Sequence, residues 1–134
     1  HWGTYPAELD DMRARHHVPL IMTGGVLKGT PRMIDVYGSQ VDIAPTLMAM
    51  MGLESRGFHF GNNLFDAGAP HYGIYFDSDN VGMYEASPSG EETHTVFNTD
   101  IGQSVSACGS RDLTPYIKAY LQTLYDHMAA KRGR

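Results

Sequence analysis

The chain has 134 residues, 42% of them hydrophobic and 19% charged, which predicts one folded domain with a modest core and excludes a disordered chain. The net charge is −5, and the only cationic cluster is Lys131, Arg132 and Arg134, so we expect no nucleic-acid partner. Cys108 is the single cysteine, which excludes an internal disulfide.

The first segments predict a short polar helix followed by a buried strand. Residues 6–15 begin with a proline and carry their acids early and their arginines late, as the helix dipole favours. Residues 18–22 form a continuous apolar run, which is typical of a strand covered on both faces. The glycines at 24 and 25 end this run.

A connector and a capped helix come next. Residues 33–36 are interpreted as a short edge strand. Ser39 and Asp42 form an S-x-x-D pattern close to a capping box, and Pro45 fits only the first turn of a helix. Gly52 is the expected left-handed terminator. Apolar residues recur at helical spacing and predict a largely buried helix with Leu47 in the core; they are Ile43, Ala44, Leu47, Met48, Met50 and Met51.

The second half predicts an ordered loop, an antiparallel sheet and a closing helix. The loop spans residues 55–70. Three strand-like runs at 72–77, 81–85 and 93–98 are joined by two turns, which indicates a meander. From Asp112, a possible cap, apolar residues follow the 3.6-residue period, and Lys131 and Arg132 suit a helix C-terminus.

Spacing alone identifies no catalytic set. His16 and His17 are adjacent and therefore point apart on either a strand or a helix, and no metal-binding motif accompanies them. Asp77, Asp79 and Glu85 cluster around a turn and could hold Ca²⁺, but a hydrogen-bonding turn is the favoured interpretation. The sequence contains no activated-serine motif and no nucleotide-binding fingerprint.

Two segments resemble the C-terminal part of the sulfatase and phosphoglycerol transferase branch of the alkaline phosphatase superfamily. They are Val18-Pro19-Leu20-Ile21 and Gln40-Val41-Asp42-Ile43-Ala44-Pro45-Thr46-Leu47, with Gly52 in place. More loosely, HYGIYFDSDNVGMYEAS is similar to strands of lipoteichoic-acid-synthase-like proteins. The resemblance implies a C-terminal fragment of an alkaline-phosphatase-like α/β fold. Residues 1–54 would form the end of the core with a parallel strand–helix crossover, 55–110 a loop and small antiparallel sheet, and 111–134 the closing helix.

The resemblance also implies a function, namely hydrolysis or transfer at a sulfate or phosphate ester with Mn²⁺, Mg²⁺ or Ca²⁺ in the complete enzyme. The nucleophile and most metal ligands would lie in an upstream catalytic half, which is then the expected partner, and this chain alone would be inactive. His1 is the candidate metal ligand; a near-site position and a disordered first residue remain open alternatives. His17 is the candidate substrate-binding residue, and a surface role is its alternative.

Two further expectations concern location and assembly. The complete protein would be extracytoplasmic or membrane-attached, whereas this sequence shows no signal-peptide core and no membrane-length apolar run, so the chain itself is expected to be soluble. Exposed apolar faces of the 18–22 strand and the capped helix would favour a homodimer. A non-catalytic binding or assembly module that keeps the fold is the alternative to the enzyme hypothesis.

Overall fold

The structure is a computed structural model that describes residues 15–24, 33–86 and 90–132. The chain divides into two units, His1–Ile34 and Asp35–Arg134, and each is described by itself. In the first unit, Arg15 and His16 are helical and residues 17–24 have no regular secondary structure. The rest of the helix predicted at 6–15 lies outside the described residues.

The prediction of a buried strand at residues 18–22 is wrong. The side chains of Val18, Leu20 and Ile21 are 52%, 47% and 78% exposed, and the segment is not part of a sheet. A strand covered on both faces needs neighbouring strands for its backbone hydrogen bonds, and the described residues supply none to this segment. The edge strand predicted at 33–36 is not formed either, and Met33 is almost fully exposed.

Four antiparallel strands form one sheet in the second unit. They follow one another in space as they do in the chain: β1 (Tyr72–Asp77), β2 (Asn80–Ala86), β3 (Glu92–Asn98) and β4 (Gln103–Cys108). The predicted three-stranded meander is confirmed, and β4 was missed. A β-bulge interrupts the β3–β4 register, because Val96 and Phe97 pair with Ser106 and Ser104 and leave Val105 as the extra residue.

Two helices accompany the sheet, α1 (Ile43–Met50) and α2 (Thr114–Arg132). One face of the sheet packs against α2. The core is made by side chains from β2, β3, α2 and the residue before α2; these are Val81, Met83, Phe97, Leu113, Ile117 and Leu121. The predicted C-terminal helix is therefore confirmed. Asp112 Oδ1 accepts a hydrogen bond from the Thr114 amide at 2.9 Å, close to its predicted capping position.

The start and the end of α1 are as predicted, but the burial of its side chains is not. A 3₁₀ turn at Gln40–Asp42 precedes α1, and the Ser39 amide donates to Asp42 Oδ2 at 2.6 Å, as in a capping box. Gly52 has φ 69°, and its amide and that of Leu53 donate to the carbonyls of Ala49 and Met48, which is a Schellman ending.

Half of the α1 residues that were predicted to be buried are exposed, and the others, Ile43, Ala44 and Met48, are half-buried. Pro45 and Thr46 are buried, whereas Leu47 is 42%, Met50 41% and Met51 62% exposed. The reason is that α1 is held on its Thr46 side by the loop that follows it, while α2 occupies the covered face of the sheet. The mixed helix and strand content of the α/β prediction is confirmed at this coarse level.

Candidate functional site

The sequence-predicted site residues are not brought together by the described part of the chain. His1 lies outside the described residues. His17 is exposed in the irregular segment of the first unit. Within residues 15–24, 33–86 and 90–132, no group of three or more histidine, cysteine or acidic side chains could hold a metal ion. The described residues therefore do not form a metal site by themselves.

A row of rings crosses the sheet on the face opposite α2. In the strand register Tyr75 lies opposite Gly82, and Tyr84 lies opposite His94, so alternate residues of β1, β2 and β3 meet on one face. The Tyr84 and His94 rings stack with centroids 3.8 Å apart and planes 4° apart. The Tyr75 hydroxyl lies 3.0 Å from His94 Nε2. We call Tyr75, Tyr84 and His94 the ring row.

Gly82 makes room for this row. A Cβ at position 82 would overlap the Tyr75 ring, whose Cζ, Cε1 and hydroxyl oxygen lie over the glycine. The absence of a side chain therefore lets Tyr75 lie across β2 and reach His94. Tyr75 and Tyr84 are buried, and His94 is half-buried. Close packing of aromatic rings in cross-strand positions stabilises a sheet of this kind.

Tyr37 extends the ring row at one end. Its ring lies parallel to that of Tyr84, with centroids 6.1 Å apart, and its hydroxyl donates a hydrogen bond to the Glu92 carboxylate. The segment before α1 is thereby attached to β3, some 55 residues away in the chain. This attachment uses a neutral phenol and a carboxylate, which form a stronger hydrogen bond than two neutral groups do.

The electrostatics of the row favour neutral groups. Burial lowers the pKa of His94 below its ordinary value, and the Glu92 carboxylate acts in the opposite direction. Burial also raises the pKa of the Tyr75 phenol, with smaller contributions from Tyr84 and Asp77. A neutral imidazole bonded to a neutral phenol can pass a proton, but no activated nucleophile accompanies this pair among the described residues. The main role of the ring row is therefore to pack β1, β2 and β3 against one another.

A groove of about 520 Å³ lies between the other face of the sheet and α2. An ion pair lies on its wall: Arg111 Nη2 is 2.7 Å from Glu85 Oε2, and the Arg111 guanidinium lies 4.6 Å above the centre of the Tyr116 ring. The rest of the wall is mainly apolar and aromatic, and includes Phe60, Tyr72, Met83, Leu113 and Tyr120. Such a wall can accept an apolar group and hold a polar one beside the ion pair.

A smaller cavity of about 250 Å³ lies beside α1, near two imidazoles. The His59 and His127 rings are 5.7 Å apart between centroids, and Phe60 packs edge-on against His127 at 5.4 Å. Two histidines alone do not complete the tetrahedral or octahedral ligand sets that metal ions take in proteins. The contacts attach the loop at 57–61 to α2.

Asp42, the buried acid of the α1 motif, has a structural role. Oδ2 accepts from the Ser39 amide at 2.6 Å and Oδ1 accepts from the Asn62 amide at 2.7 Å. Its neighbour Thr46 continues this arrangement, because the Thr46 hydroxyl oxygen accepts from the Leu64 amide and donates to the Asp42 carbonyl at 2.6 Å. Both acid oxygens thus hold backbone amides, and the motif joins helix α1 to its following loop.

Sequence reasoning missed the ring row and the Glu85–Arg111 pair. Around the predicted turn, the Asp79 main-chain carbonyl accepts from the Thr99 amide at 2.8 Å, and the Glu85 carboxylate pairs with Arg111. Gly82 and Tyr84 are two residues apart in β2 and therefore lie on the same face of the strand. This spacing was the signal in the sequence that could have indicated the ring row.

Comparisons of the chain with protein families, with curated proteins and with solved structures found no match. Within its described residues, the chain contains no helix that is both long and apolar enough to cross a membrane. What the fold and the site define is thus an antiparallel meander packed on one helix, with a second capped helix whose apolar face is exposed.

Proposed function

We propose that the chain is the C-terminal portion of a metal-dependent enzyme of the sulfatase and phosphoglycerol transferase class, which acts on sulfate or phosphate esters. The observation that carries the proposal is α1. Its residues are those of the motif by which the chain resembles that class, and its apolar side, with Leu47, Met50 and Met51, faces solvent in the isolated chain.

Exposed apolar surface of this kind indicates a missing neighbour. A helix with a mainly apolar sequence gains its stability from burying that surface, and contiguous exposed apolar patches mark interaction sites. In the proposed enzyme the neighbour is the upstream catalytic half, which would cover α1 and align it beside the sheet of the complete α/β core. The capping box and the Schellman ending keep α1 formed while this face is uncovered.

The proposal assigns the chemistry outside the described residues. A divalent metal, when bound in the complete enzyme, would neutralise negative charge that develops on the ester oxygens. The described residues do not supply a ligand set for it, so no reaction step is assigned to them. His1 as a metal ligand and His17 as a substrate contact remain proposals for the complete protein, and this chain is expected to be inactive by itself.

The alternative is a binding or assembly module without catalysis. The same exposed face of α1 supports it, because a module also needs a surface for its partner. The structural role of Asp42 is compatible with both functions, since its two oxygens are used to hold backbone amides. An activity measurement is therefore needed to distinguish the enzyme from the non-catalytic module.

The test compares this chain with the complete protein encoded by its reading frame. Both are assayed with p-nitrophenyl sulfate and bis-p-nitrophenyl phosphate, with Mn²⁺, Mg²⁺ or Ca²⁺ and with a chelator. We expect no turnover by the chain alone and metal-dependent turnover by the complete protein. A complete protein that hydrolyses or transfers neither ester contradicts the enzyme proposal, and turnover by the chain alone contradicts the assignment of the chemistry to the other half.

A further inference from the structure

The two edges of the sheet differ in how their backbone groups are used. At the β1 edge, the Ser39 hydroxyl accepts a hydrogen bond from the Ile74 amide at 2.8 Å and lies 3.4 Å from the Tyr72 carbonyl oxygen. Gly38 also passes close to this edge, with its carbonyl oxygen in contact distance of a side chain placed at Gly73. The segment before α1 thus covers the β1 edge.

Among the described residues, none covers the β4 edge. All six residues of Gln103–Cys108 are exposed, whereas β1, β2 and β3 each contain buried residues. Among the described residues, β3 is the only strand that pairs with β4. An edge strand leaves every second amide and carbonyl without a partner strand, and this is a template for pairing with another chain.

The composition of β4 does not discourage such pairing. Natural edge strands are commonly protected by lysine, proline or inward-pointing charges, and β4, with the sequence Gln-Ser-Val-Ser-Ala-Cys, has none of them. The bulge at Val105 is its one protective feature, because it bends the strand and limits the straight stretch available for pairing. A partner strand would therefore be short.

We propose that β4 pairs antiparallel with β4 of a second copy of this chain, across a two-fold axis, so that the two sheets become continuous. The second copy is favoured because the strand is uncharged in a chain of net charge −5, so self-pairing places no like charges opposite each other. A strand paired with itself in antiparallel orientation also forms a closed, isologous contact. This inference does not depend on the proposed function.

The size of the contact sets its strength. One short strand pair buries less than the roughly 1,200 Å² of total surface that stable interfaces exceed. The dimer is therefore expected to be weak and to exchange with monomer. In this respect it differs from a dimer formed through the apolar face of α1, which would bury larger side chains.

Sedimentation velocity of the full chain, from low micromolar to submillimolar concentration, tests the pairing. We expect a concentration-dependent monomer–dimer equilibrium that Ser106→Lys and Ala107→Lys each weaken about tenfold or more, because each variant brings two like charges, one from each copy, into the short paired stretch. The matched control is Tyr125→Lys, which adds the same charge at an exposed position of α2 and leaves the equilibrium unchanged.

Backbone hydrogen exchange gives a second readout that does not require a variant. The amides of Gln103–Cys108 become more protected as concentration rises, while those of the β1 edge do not change. Protection confined to α1, or a dimer that Leu47→Lys weakens but the β4 lysines do not, overturns the proposal in favour of the helix face. A chain that remains monomeric over the whole concentration range also overturns the proposal, even if β4 binds an extended peptide of another sequence.

Cysteine cross-linking locates the two-fold axis. In a Cys108→Ser background, single cysteines are placed in turn at Gln103, Ser104, Ser106 and Ala107, and an added disulfide reagent oxidises any pair of adjacent thiols. Antiparallel pairing predicts efficient cross-linking at the position nearest the axis and little at the far end of the strand. Equal cross-linking at every position, or none at any, contradicts the proposed pairing.

Discussion

The Tyr75 hydroxyl lies 3.0 Å from Nε2 of His94, and this contact joins β1 to β3 across the backbone of Gly82 in β2. The two residues are neighbours only because the middle strand has no side chain at that point. Burial lowers the pKa of the imidazole and raises that of the phenol, so both groups are neutral at neutral pH. The contact thereby links the packing of the sheet to the protonation of one histidine.

The first prediction concerns the pH dependence of stability. The lowered pKa of His94 means that the unfolded chain binds a proton at a higher pH than the folded chain. The stability that depends on a neutral His94 is therefore fully present above about pH 6.5, the ordinary pKa of histidine. It is lost as the pH falls through the lowered pKa that His94 has in the folded chain. Urea unfolding at a series of pH values should show this loss in the wild type and a smaller loss in His94→Gln.

The control for this experiment is His17→Gln, which removes an exposed imidazole from the other unit. Its unfolding should keep the wild-type pH dependence. Tyr75→Phe removes the hydroxyl partner of His94 and keeps the ring, so it should change the pH dependence without a large loss of packing. Identical pH slopes in the wild type and His94→Gln would contradict the prediction.

The second prediction is that Gly82→Ala destabilises the second unit by about 1–3 kcal/mol, the usual cost of adding a methyl group where there is no room. The new Cβ would overlap the Tyr75 ring and push it away from His94. Gly57→Ala is the matched control, since no atom lies within contact distance of a Cβ there. Chemical unfolding should separate the two variants; equal free energies of unfolding would show that Tyr75 does not lie across Gly82.

The third prediction concerns Asp42. The two carboxylate oxygens of Asp42 accept hydrogen bonds from the backbone amides of Ser39 and Asn62. In Asp42→Asn one of these oxygens is replaced by an NH₂ group, which cannot accept from the backbone N–H that faces it. We expect a loss of about 1–3 kcal/mol in the free energy of unfolding, the cost of a buried donor without a partner. Asp66→Asn is the control. Asp66 is exposed and uses a single oxygen, which accepts from the Gly68 amide at 2.9 Å, so an asparagine there keeps the bond.

The fourth prediction concerns the exposed face of α1. In this chain, Leu47→Gln should change the free energy of unfolding by no more than about 0.5 kcal/mol, because the side chain is already exposed and glutamine suits a helix. Leu113→Ala, which truncates a fully buried side chain, should cost about 2–5 kcal/mol.

If the proposed function holds, Leu47→Gln should destabilise the complete protein and lower its turnover, because an upstream catalytic half would cover this face. Tyr125→Gln, at another exposed apolar position, serves as the control and should have no effect. Unfolding midpoints and ester turnover of the complete protein provide the measurement. A Leu47→Gln variant with unchanged midpoint and activity would count against an interface on α1.

Part of the ring row was within reach of the sequence. The Ser78-Asp79 turn joins β1 to β2 with Asp77 opposite Asn80, and counting back from that pair places Tyr75 opposite Gly82. The β2–β3 connection is longer, so turn chemistry does not define its register, and the Tyr84–His94 stack could not be derived. β4 was missed because its residues are small and include only one β-branched side chain, Val105, so the alternation of Ser104 to Ala107 gives a weak strand signal.

The sequence by itself determined the features that depend on residues within one or two turns of each other: the Ser39–Asp42 capping box, Pro45 in the first turn, the Gly52 ending, the hairpin of β1 and β2, and the period of α2. These act through local hydrogen bonds and allowed backbone angles. Only the tertiary structure decided which apolar surfaces are covered. Residues 18–22 form no strand, and Leu47, Met50 and Met51 remain exposed, because burial and sheet hydrogen bonds require a neighbour that no local pattern can supply.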